Sequence, residues 1–310
     1  MRSCADVKHD DIVLIITEKE TFEIGEAISR VAREITSEVS HMTIKLLLLH
    51  GESPPSNVAE KMEKSNVIFS LTRKSIAHTQ ARYNATEAGA RFLSLPDYSF
   101  DVLESPALKA DFRALTQLSF ALAELLTKGH NLRISSSKGT EFSCQITGRT
   151  ANAAPGWCWK AGVLASPPDA ETNISIIEES SHGVLVIDGS IPCTEIGKLE
   201  QPLKLRVNNG KVIGIEGNHA DTLAHLYDRL NIPATRIPAE FGIGLNPYAK
   251  VKGVMLEDEG CMGTIHIGMG SNKTIGGNIE IPFHLDHVIC APTVLLDEKI
   301  IIEEGKLVVF

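Results

Sequence analysis

The first 130 residues alternate short apolar runs with amphipathic segments, and this alternation limits the possible folds more than any other feature of the sequence. The apolar runs lie at residues 12–16, 43–49, 67–71 and 91–95, and the helical patterns at 23–39, 58–64, 78–90 and 112–126. Continuous apolar strands followed by crossover helices are typical of a parallel sheet that is covered on both faces. The segment Lys128-Gly129-His130-Asn131 predicts the end of the last helix. We therefore expect an α/β Rossmann-like domain over residues 1–131.

From residue 132 the sequence changes to short alternating runs separated by many glycines. Strands are predicted at residues 132–136, 141–147, 183–188, 203–207 and 211–216, and one helix at 220–230. Asn208-Asn209-Gly210 stands between two alternating runs, which is a strong signal for a hairpin. Residues 132–310 are therefore predicted to form an α+β domain that is rich in antiparallel strands.

Charge and hydropathy limit the partners of the chain. The formal net charge of -9 comes with scattered Lys and Arg residues, so no broad basic face is available for nucleic acid. No apolar run approaches the length that crosses a bilayer, and the first ten residues show no signal peptide. The first domain also lacks a dinucleotide-binding glycine motif and a P-loop. We expect a cytoplasmic protein with a small-molecule or short-peptide substrate and no membrane or nucleic-acid partner.

A candidate metal centre begins with the segment Phe283-His284-Leu285-Asp286-His287. In an extended strand, residues i and i+2 point to the same face, so His284 and Asp286 can converge on one cation while His287 points away. The segment around His266 alternates in the same way and adds a second imidazole beside several glycines. A structural histidine is the alternative at each position.

Two glutamates stand in segments that are too apolar or turn-rich for an ordinary solvated charge. Glu171 follows Pro168-Asp169-Ala170, and Glu240 precedes Phe241-Gly242-Ile243-Gly244. A buried acid needs a cation or hydrogen-bond donors, although either glutamate could instead cap a turn. Two histidines with three carboxylates suit one or two divalent ions of Zn, Mn, Co or Fe. Residues 132–310 are therefore predicted to be the metal-binding catalytic domain.

From about residue 162 to the C-terminus, these residues resemble the catalytic domain of the thermophilic aminopeptidases, the metallopeptidases of the aminopeptidase T and S type. In that family a first glutamate precedes a strand and a hairpin as Glu171 does, and a second lies in a loop-strand segment as Glu240 does. A histidine followed by an apolar-x-apolar-Gly pattern corresponds to His266, and a closing H-x-D corresponds to His284 and Asp286. The resemblance implies that these five residues bind two neighbouring divalent ions, and that the protein is a homodimer whose N-terminal domain helps close the site.

Two features depart from the peptidase pattern. The family has a catalytic tyrosine seven residues after its motif histidine, where this chain has Lys273. The N-terminal domain is also shorter than in those peptidases. Both differences bear on peptide hydrolysis, because the group expected to stabilise the transition state has changed its chemical type.

The Fe(II)-dependent 2,5-dihydroxypyridine 5,6-dioxygenases are similar to the same catalytic domain and share the short N-terminal region. Their H-x-D pair matches His284 and Asp286, but they have a histidine at the position of Glu240 and no histidine ligand at that of His266. Their active-site histidine from the N-terminal domain corresponds to His78, at a predicted strand-to-helix turn. The alternative is that His78 caps the following helix.

Three functions follow from these patterns. The first is a metallohydrolase of the aminopeptidase type that cleaves a C–N bond, in which Glu171 or Glu240 handles the proton of the attacking water and Lys273 or the second ion stabilises the oxyanion. The second is a mononuclear iron dioxygenase that opens a hydroxylated ring. The third is a non-catalytic metal- or ligand-binding dimer. The pairing of Glu240 with His266 favours the first.

Overall fold

The computed structural model describes residues 1–48 and 51–309 and divides the chain into two compact units. The first unit comprises Met1–Arg113 and Gly156–Pro168, and the second comprises Ala114–Pro155 and Asp169–Phe310. The predicted boundary after residue 131 falls beyond this division, because the helix that precedes it contributes to the core of the second unit.

The first unit is a parallel sheet with helical connections, which confirms the predicted α/β class. Its strands are β1 (Val13–Thr17), β2 (Val39–Thr43), β3 (Val67–Leu71), β4 (Arg91–Ser94) and β8 (Leu164–Ala165), in the order β2-β1-β3-β4-β8. Its helices are α1 (Phe22–Arg33), α2 (Ser56–Glu63), α3 (Gln80–Glu87) and α4 (Phe100–Leu103), followed by a 3-10 turn at Pro106–Lys109. Every residue of β1 and β3 is buried, as a sheet covered on both faces requires.

Two predicted elements of the first unit are wrong. The helix expected over residues 23–39 ends at Arg33, and the strand expected over 43–49 lies instead at Val39–Thr43. The register explains the second error: β2 pairs with β1 up to Thr17, where β1 ends, so the apolar residues that follow have no strand to pair with. Leu48 is accordingly exposed, and residue 49 lies outside the described residues.

The second unit consists mainly of antiparallel strands, as predicted. An eight-stranded sheet has the order β14-β13-β10-β6-β5-β18-β19-β20. Its strands are β5 (Asn131–Ser135), β6 (Glu141–Gln145), β10 (His182–Ile187), β13 (Leu203–Asn208), β14 (Lys211–Glu216), β18 (Thr293–Leu296), β19 (Lys299–Glu303) and β20 (Lys306–Leu307). The predicted hairpin joins β13 to β14, and Asn209 and Gly210 at its turn both have positive φ, at 46° and 68°.

A five-stranded sheet with the order β17-β16-β15-β9-β7 carries the candidate site. Its strands are β7 (Asn152–Ala154), β9 (Glu171–Ser175), β15 (Pro238–Gly244), β16 (Thr264–Gly270) and β17 (His284–Cys290). The remaining elements of the unit are the small pair β11 (Ser190–Ile191) and β12 (Gly197–Lys198), and the helices α5 (Phe112–Lys128), α6 (Ala220–Asp228) and α7 (Met255–Asp258), with 3-10 turns at Pro233–Arg236 and Lys273–Ile275. None of the helices described here is long and apolar enough to cross a membrane.

Two buried hydroxyl groups connect α5 to β9 of the site-bearing sheet. The Ser119 hydroxyl donates to the main-chain carbonyl of Glu171 at 3.0 Å and lies 3.1 Å from the Thr172 hydroxyl. The Thr172 hydroxyl in turn donates to the carbonyl of Ser119 at 3.1 Å. This reciprocal contact fixes β9, and with it Glu171, against the helix.

We predict that Ser119→Ala lowers the free energy of unfolding of the second unit by about 1–3 kcal/mol, because the buried carbonyl of Glu171 loses the hydroxyl that donates to it. Urea unfolding of the wild-type protein and of Ser119→Ala, with an unchanged m-value, measures this difference in the free energy of unfolding. Gln117→Ala, at an exposed position of the same helix, is the matched control and should change stability by less than about 0.5 kcal/mol. Equal effects of the two substitutions would contradict the assigned role of Ser119.

Candidate metal centre

The five predicted ligands lie on one face of the five-stranded sheet. Glu171 is on β9, Glu240 on β15, His266 on β16, and His284 and Asp286 on β17. Residues directly opposite each other in an antiparallel pair share a face. Glu171 lies opposite Gly244, which is four positions after Glu240 on β15. Glu240 lies opposite Gly268, which is two positions after His266 on β16, and Gly268 also lies opposite Asp286 on β17. The period of two in each strand therefore puts all five side chains on the same side.

The ligand atoms form two groups of three that share Glu240. Glu171, Glu240 and His266 form the inner group, and Glu240, His284 and Asp286 form the outer group; within each, the candidate ligand atoms lie within 4.8 Å of one another. His266 Nε2 is 3.2 Å from Glu171 Oε2 and 3.8 Å from Glu240 Oε1. His284 Nε2 is 3.2 Å from both Glu240 Oε2 and Asp286 Oδ1. One oxygen of Glu240 thus faces each imidazole.

Two glycines leave the space that the ligand side chains occupy. A Cβ on Gly242 of β15 would lie 2.1 Å from the His266 ring. A Cβ on Gly268 of β16 would lie 2.7 Å from the His284 ring and 2.9 Å from the Cβ of Glu240. Any larger residue at either position would displace a ligand, which is the physical reason for glycine in these strands.

Groups outside the two sets orient the ligands. The Nδ1 of His284 lies 2.8 Å from the carbonyl oxygen of Ser271, so Nδ1 carries the proton and Nε2 faces the carboxylates. The amide of Asn173 donates to Glu171 Oε1 at 2.6 Å and receives a 3.0 Å hydrogen bond from the Asn152 amide. Glu171 Oε2 is thereby left for another partner.

The residues fit a bound cation. Among the described residues, four of the seven buried side-chain polar atoms without a hydrogen-bond partner belong to this cluster: Asp169 Oδ1, Glu171 Oε2, Glu259 Oε1 and His266 Nδ1. An unsatisfied buried carboxylate oxygen is costly, and a divalent ion held by the inner group would satisfy Glu171 Oε2. Imidazole nitrogen with carboxylate oxygen is a donor set for Zn, Mn, Co or Fe. Four of the five ligand side chains are buried, whereas His284 is 36% exposed and marks the open side of the cluster.

In the ion-free protein, protonated imidazoles balance the carboxylates. Burial lowers the pKa of His266, but the surrounding carboxylates outweigh it and raise this pKa to about 10. Burial also lowers the pKa of His284, but the Asp286 and Glu240 carboxylates outweigh it and hold this pKa well above its usual value. Burial raises the pKa of Glu171 to about 7, although His266 opposes this shift. Positive charge is thus already required where a metal ion would sit.

Two further carboxyl groups of the cluster were missed in the sequence. Burial raises the pKa of Asp169 well above its usual value, and the Glu171 carboxylate adds to this shift. Burial and then the charge of Asp286 do the same for Glu259, whose carboxyl hydrogen-bonds to Asp286. Asp169 shares the alternation of Glu171, which was a usable signal. Glu259 follows the short helix α7, and nothing in its local sequence distinguishes it from the neighbouring acids.

His287 lies on the opposite face of β17, as the alternation predicts. It is fully buried, and its Nε2 is 2.8 Å from the Tyr227 hydroxyl. Its Nδ1 faces the carbonyls of Ile267 and Leu285 at 3.2 Å and 3.0 Å. Burial lowers the pKa of His287 to about 4. This histidine is neutral and structural, and it supports the strand that carries His284 and Asp286.

Sequence comparison assigns the chain to a family. The family described as NicX, 2,5-dihydroxypyridine 5,6-dioxygenase, matches residues 1–309. The chain belongs to the NicX family. No curated protein matches this NicX-family chain in sequence.

Two solved structures share its fold. The structure of 2,5-dihydroxypyridine dioxygenase from Pseudomonas putida KT2440 superposes with a TM-score of 0.82 at 18% sequence identity, over 98% of this chain and 94% of the other. Wild-type AmpT from Thermus thermophilus superposes with a TM-score of 0.70 at 16% identity, over 100% of this chain and 97% of the other. Both relationships suggested by the sequence motifs are confirmed at the level of the fold.

The two catalytic residues predicted beside the ligands stay predictions in this NicX-family chain. His78 belongs to the first unit, is exposed, and precedes α3. The N-cap of that helix is Thr79, whose side chain accepts a hydrogen bond from the Arg82 amide, so the alternative role of His78 as the cap is wrong. Lys273 begins a 3-10 turn in the loop between β16 and β17, and its side chain is exposed.

We predict that metal uptake releases protons. Imidazole must be neutral to bind a metal, and in the ion-free protein the pKa of His266 is raised to about 10 and that of His284 is also raised. Affinity for Zn²⁺ should therefore increase as the pH rises from 6 towards about 9, and about two protons should leave at pH 7.5. Calorimetric titration with Zn²⁺ in two buffers of different ionisation enthalpy counts them. Binding without proton release would contradict the raised pKa values.

Proposed function

We propose that this NicX-family chain is a two-ion metalloenzyme that hydrolyses the C–N bond of a short peptide or small amide. The observation that carries the proposal is the position of Glu240, which belongs to both groups of three ligands while each group has its own imidazole. A carboxylate between two such groups is suited to bridging two ions. A mononuclear site with a single set of three protein ligands does not need the second histidine.

Each ligand group has a defined part in this proposal. Glu171, Glu240 and His266 would hold one ion, and Glu240, His284 and Asp286 the other. When bound, divalent ions supply Lewis acidity that lowers the pKa of water and polarises a carbonyl. The three carboxylates offset the charge of the ions, and Glu171 or Glu240 is expected to accept the proton of the attacking water. The half-exposed His284 marks the side from which a substrate would approach.

The second candidate function is oxidative ring opening by Fe(II), which the family match over residues 1–309 favours. In that case the outer group, with His284 and Asp286, would hold the iron, which supplies the chemistry for O₂. The inner group would then have a structural or charge-balancing role. The two candidates differ in the number of ions that the resting enzyme needs, and this difference can be measured.

We predict two ions per wild-type chain and a specific pattern of loss. After incubation with Zn²⁺, Co²⁺, Mn²⁺ or Fe²⁺ and gel filtration, elemental analysis should show that His266→Ala and His284→Ala each lose one ion. Glu240→Ala should lose both, because both groups need it. His182→Ala, an exposed histidine in β10, is the control and should retain both ions. A wild-type stoichiometry of one, insensitive to His266, would refute the two-ion proposal and support the iron enzyme.

The reaction class is tested on the same metal-loaded samples. Release of a primary amine from dipeptides and amino-acid amides reports hydrolysis, whereas O₂ consumption with hydroxylated pyridines under Fe²⁺ reports oxygenation. The proposal expects amine release that is lost in Glu240→Ala and no substrate-dependent O₂ uptake. The reverse result would establish the second candidate.

Lys273 is proposed to bind an anionic group of the substrate. Its ammonium group stands at the position where the peptidase pattern has tyrosine, and only the ammonium supplies a positive charge. Lys273→Ala should lower kcat/KM roughly 10- to 100-fold for substrates with a free carboxylate, the loss expected for one charged hydrogen bond, with no change in metal content. Lys211→Ala, on the exposed hairpin strand β14, is the matched control. Equal kinetics in the two variants on carboxylate and amide substrates would remove Lys273 from the site.

A further inference from the structure

The loop that joins β16 to β17 contains a buried asparagine that contacts β15, while the residue before it contacts His284 of β17. Asn272 is completely buried. Its side-chain oxygen accepts a hydrogen bond from the Ile279 amide at 2.8 Å, and its side-chain amide donates to the Ala239 carbonyl at 3.2 Å and to Glu178 Oε1 at 3.2 Å. All the hydrogen-bonding capacity of this side chain except one oxygen lone pair is therefore used within the protein.

The main chain of the same loop closes around Asn272. The Ser271 amide donates to the Phe283 carbonyl at 2.8 Å, and the amides of Asn272 and Lys273 both donate to the Ile279 carbonyl at 3.0 Å. A Cβ on Gly277 would lie 2.0 Å from the Asn272 side chain, so the loop can close only with glycine there. The loop is thus a compact turn built on one side chain.

A largely buried ion pair holds this turn from outside. Arg149 lies 2.7 Å from Glu178, and the two side chains are only 13% and 16% exposed. Glu178 accepts the Asn278 amide at 2.8 Å, and Arg149 donates to the Gly276 carbonyl at 2.9 Å. Arg149 and Glu178 therefore each make a hydrogen bond to the loop in addition to pairing with each other.

Asn272 is connected to two members of the outer ligand group, in each case through a neighbouring residue. Ala239 precedes Glu240, and Ser271, the residue before Asn272, presents the carbonyl that receives the Nδ1–H of His284. A shift of Ser271 would rotate the His284 ring, because the hydrogen bond at Nδ1 fixes the direction in which Nε2 points. Glu240 belongs to both ligand groups, but the Ala239 carbonyl also accepts the Ile176 amide at 2.9 Å, so the position of Glu240 does not depend on Asn272 alone.

We propose that Asn272 is a positioning residue that sets the direction of the His284 ring, in the outer ligand group, through Ser271, while Asn173 separately positions the inner group through Glu171. This inference rests on the proposed metal site, and it holds for either candidate reaction. The inner group has its own asparagine, because the Asn173 amide donates directly to Glu171 Oε1 at 2.6 Å. The two buried asparagines thus provide a matched pair of variants for the test.

The test is stepwise titration of Asn272→Ala and Asn173→Ala with Zn²⁺, followed by calorimetry. Histidine-selective ¹⁵N NMR identifies the ring that responds at each step. Loss of an outer contact of this kind typically weakens metal binding roughly 10- to 100-fold. Asn272→Ala should weaken only the step that shifts the His284 ring, and Asn173→Ala only the step that shifts the His266 ring. Weakening of both steps by either variant, or of neither, would overturn the assignment.

Two additional measurements separate this inference from folding defects and from the proposed function. If Asn272→Ala does not fold, Glu178→Gln keeps the side-chain shape while removing the charge that pairs with Arg149, and it should weaken the His284 step alone. In metal-free protein, the Nδ1–H signal of His284 should shift in Asn272→Ala and stay fixed in Asn173→Ala. An unshifted signal would overturn the positioning role, whereas a wild-type protein that binds fewer than two ions with this shift present would refute only the two-ion function.

Discussion

The structure of the second unit is organised by the close approach of three carboxylates and two imidazoles on one face of a buried sheet. Without a cation, the arrangement is held together by imidazolium protons, as the raised pKa values of His266 and His284 show. A divalent ion can replace those protons and satisfy Glu171 Oε2, which has no hydrogen-bond partner. The glycines opposite the ligands and the amides behind them follow from this requirement, because buried charge is tolerated only where every neighbour is placed for it.

Sharing of one carboxylate is the feature that separates the two candidate reactions. Family membership and fold connect the chain with a dioxygenase, and the fold also connects it with AmpT. A fold shared at such low identity carries no particular chemistry, which resides in the residues of the site. Glu240 lies between His266 and His284, with one carboxylate oxygen towards each ring. The number of ions bound beside this carboxylate, one or two, is the difference between the two candidates. The function we propose follows this local chemistry within the NicX family.

The two ligand groups are held by different parts of the second unit. The inner group lies against α5 and the Asn173 amide, on the buried side of the cluster. The outer group depends on the β16–β17 loop, which also carries Lys273. A substrate that contacts this loop would therefore act on the same element that orients His284. Such an arrangement allows binding of substrate and adjustment of one metal ligand to be linked through a single short segment.

The sequence by itself determined the fold class and the hairpin at Asn209, because period-two alternation and residue type are local properties. Alternation also suggested His266, His284 and Asp286 as ligands, whereas Glu171 and Glu240 were suggested by their apolar, turn-rich segments and by the resemblance to the thermophilic aminopeptidases. It misplaced β2, since the limit of that strand is set by the length of its partner β1 and not by its own apolar residues. Tertiary structure alone brought Glu259 into the cluster and gave Asn272 its contacts with Glu178, Ala239 and Ile279. Strand register and burial decide those relations, and both depend on pairings between residues far apart in the chain.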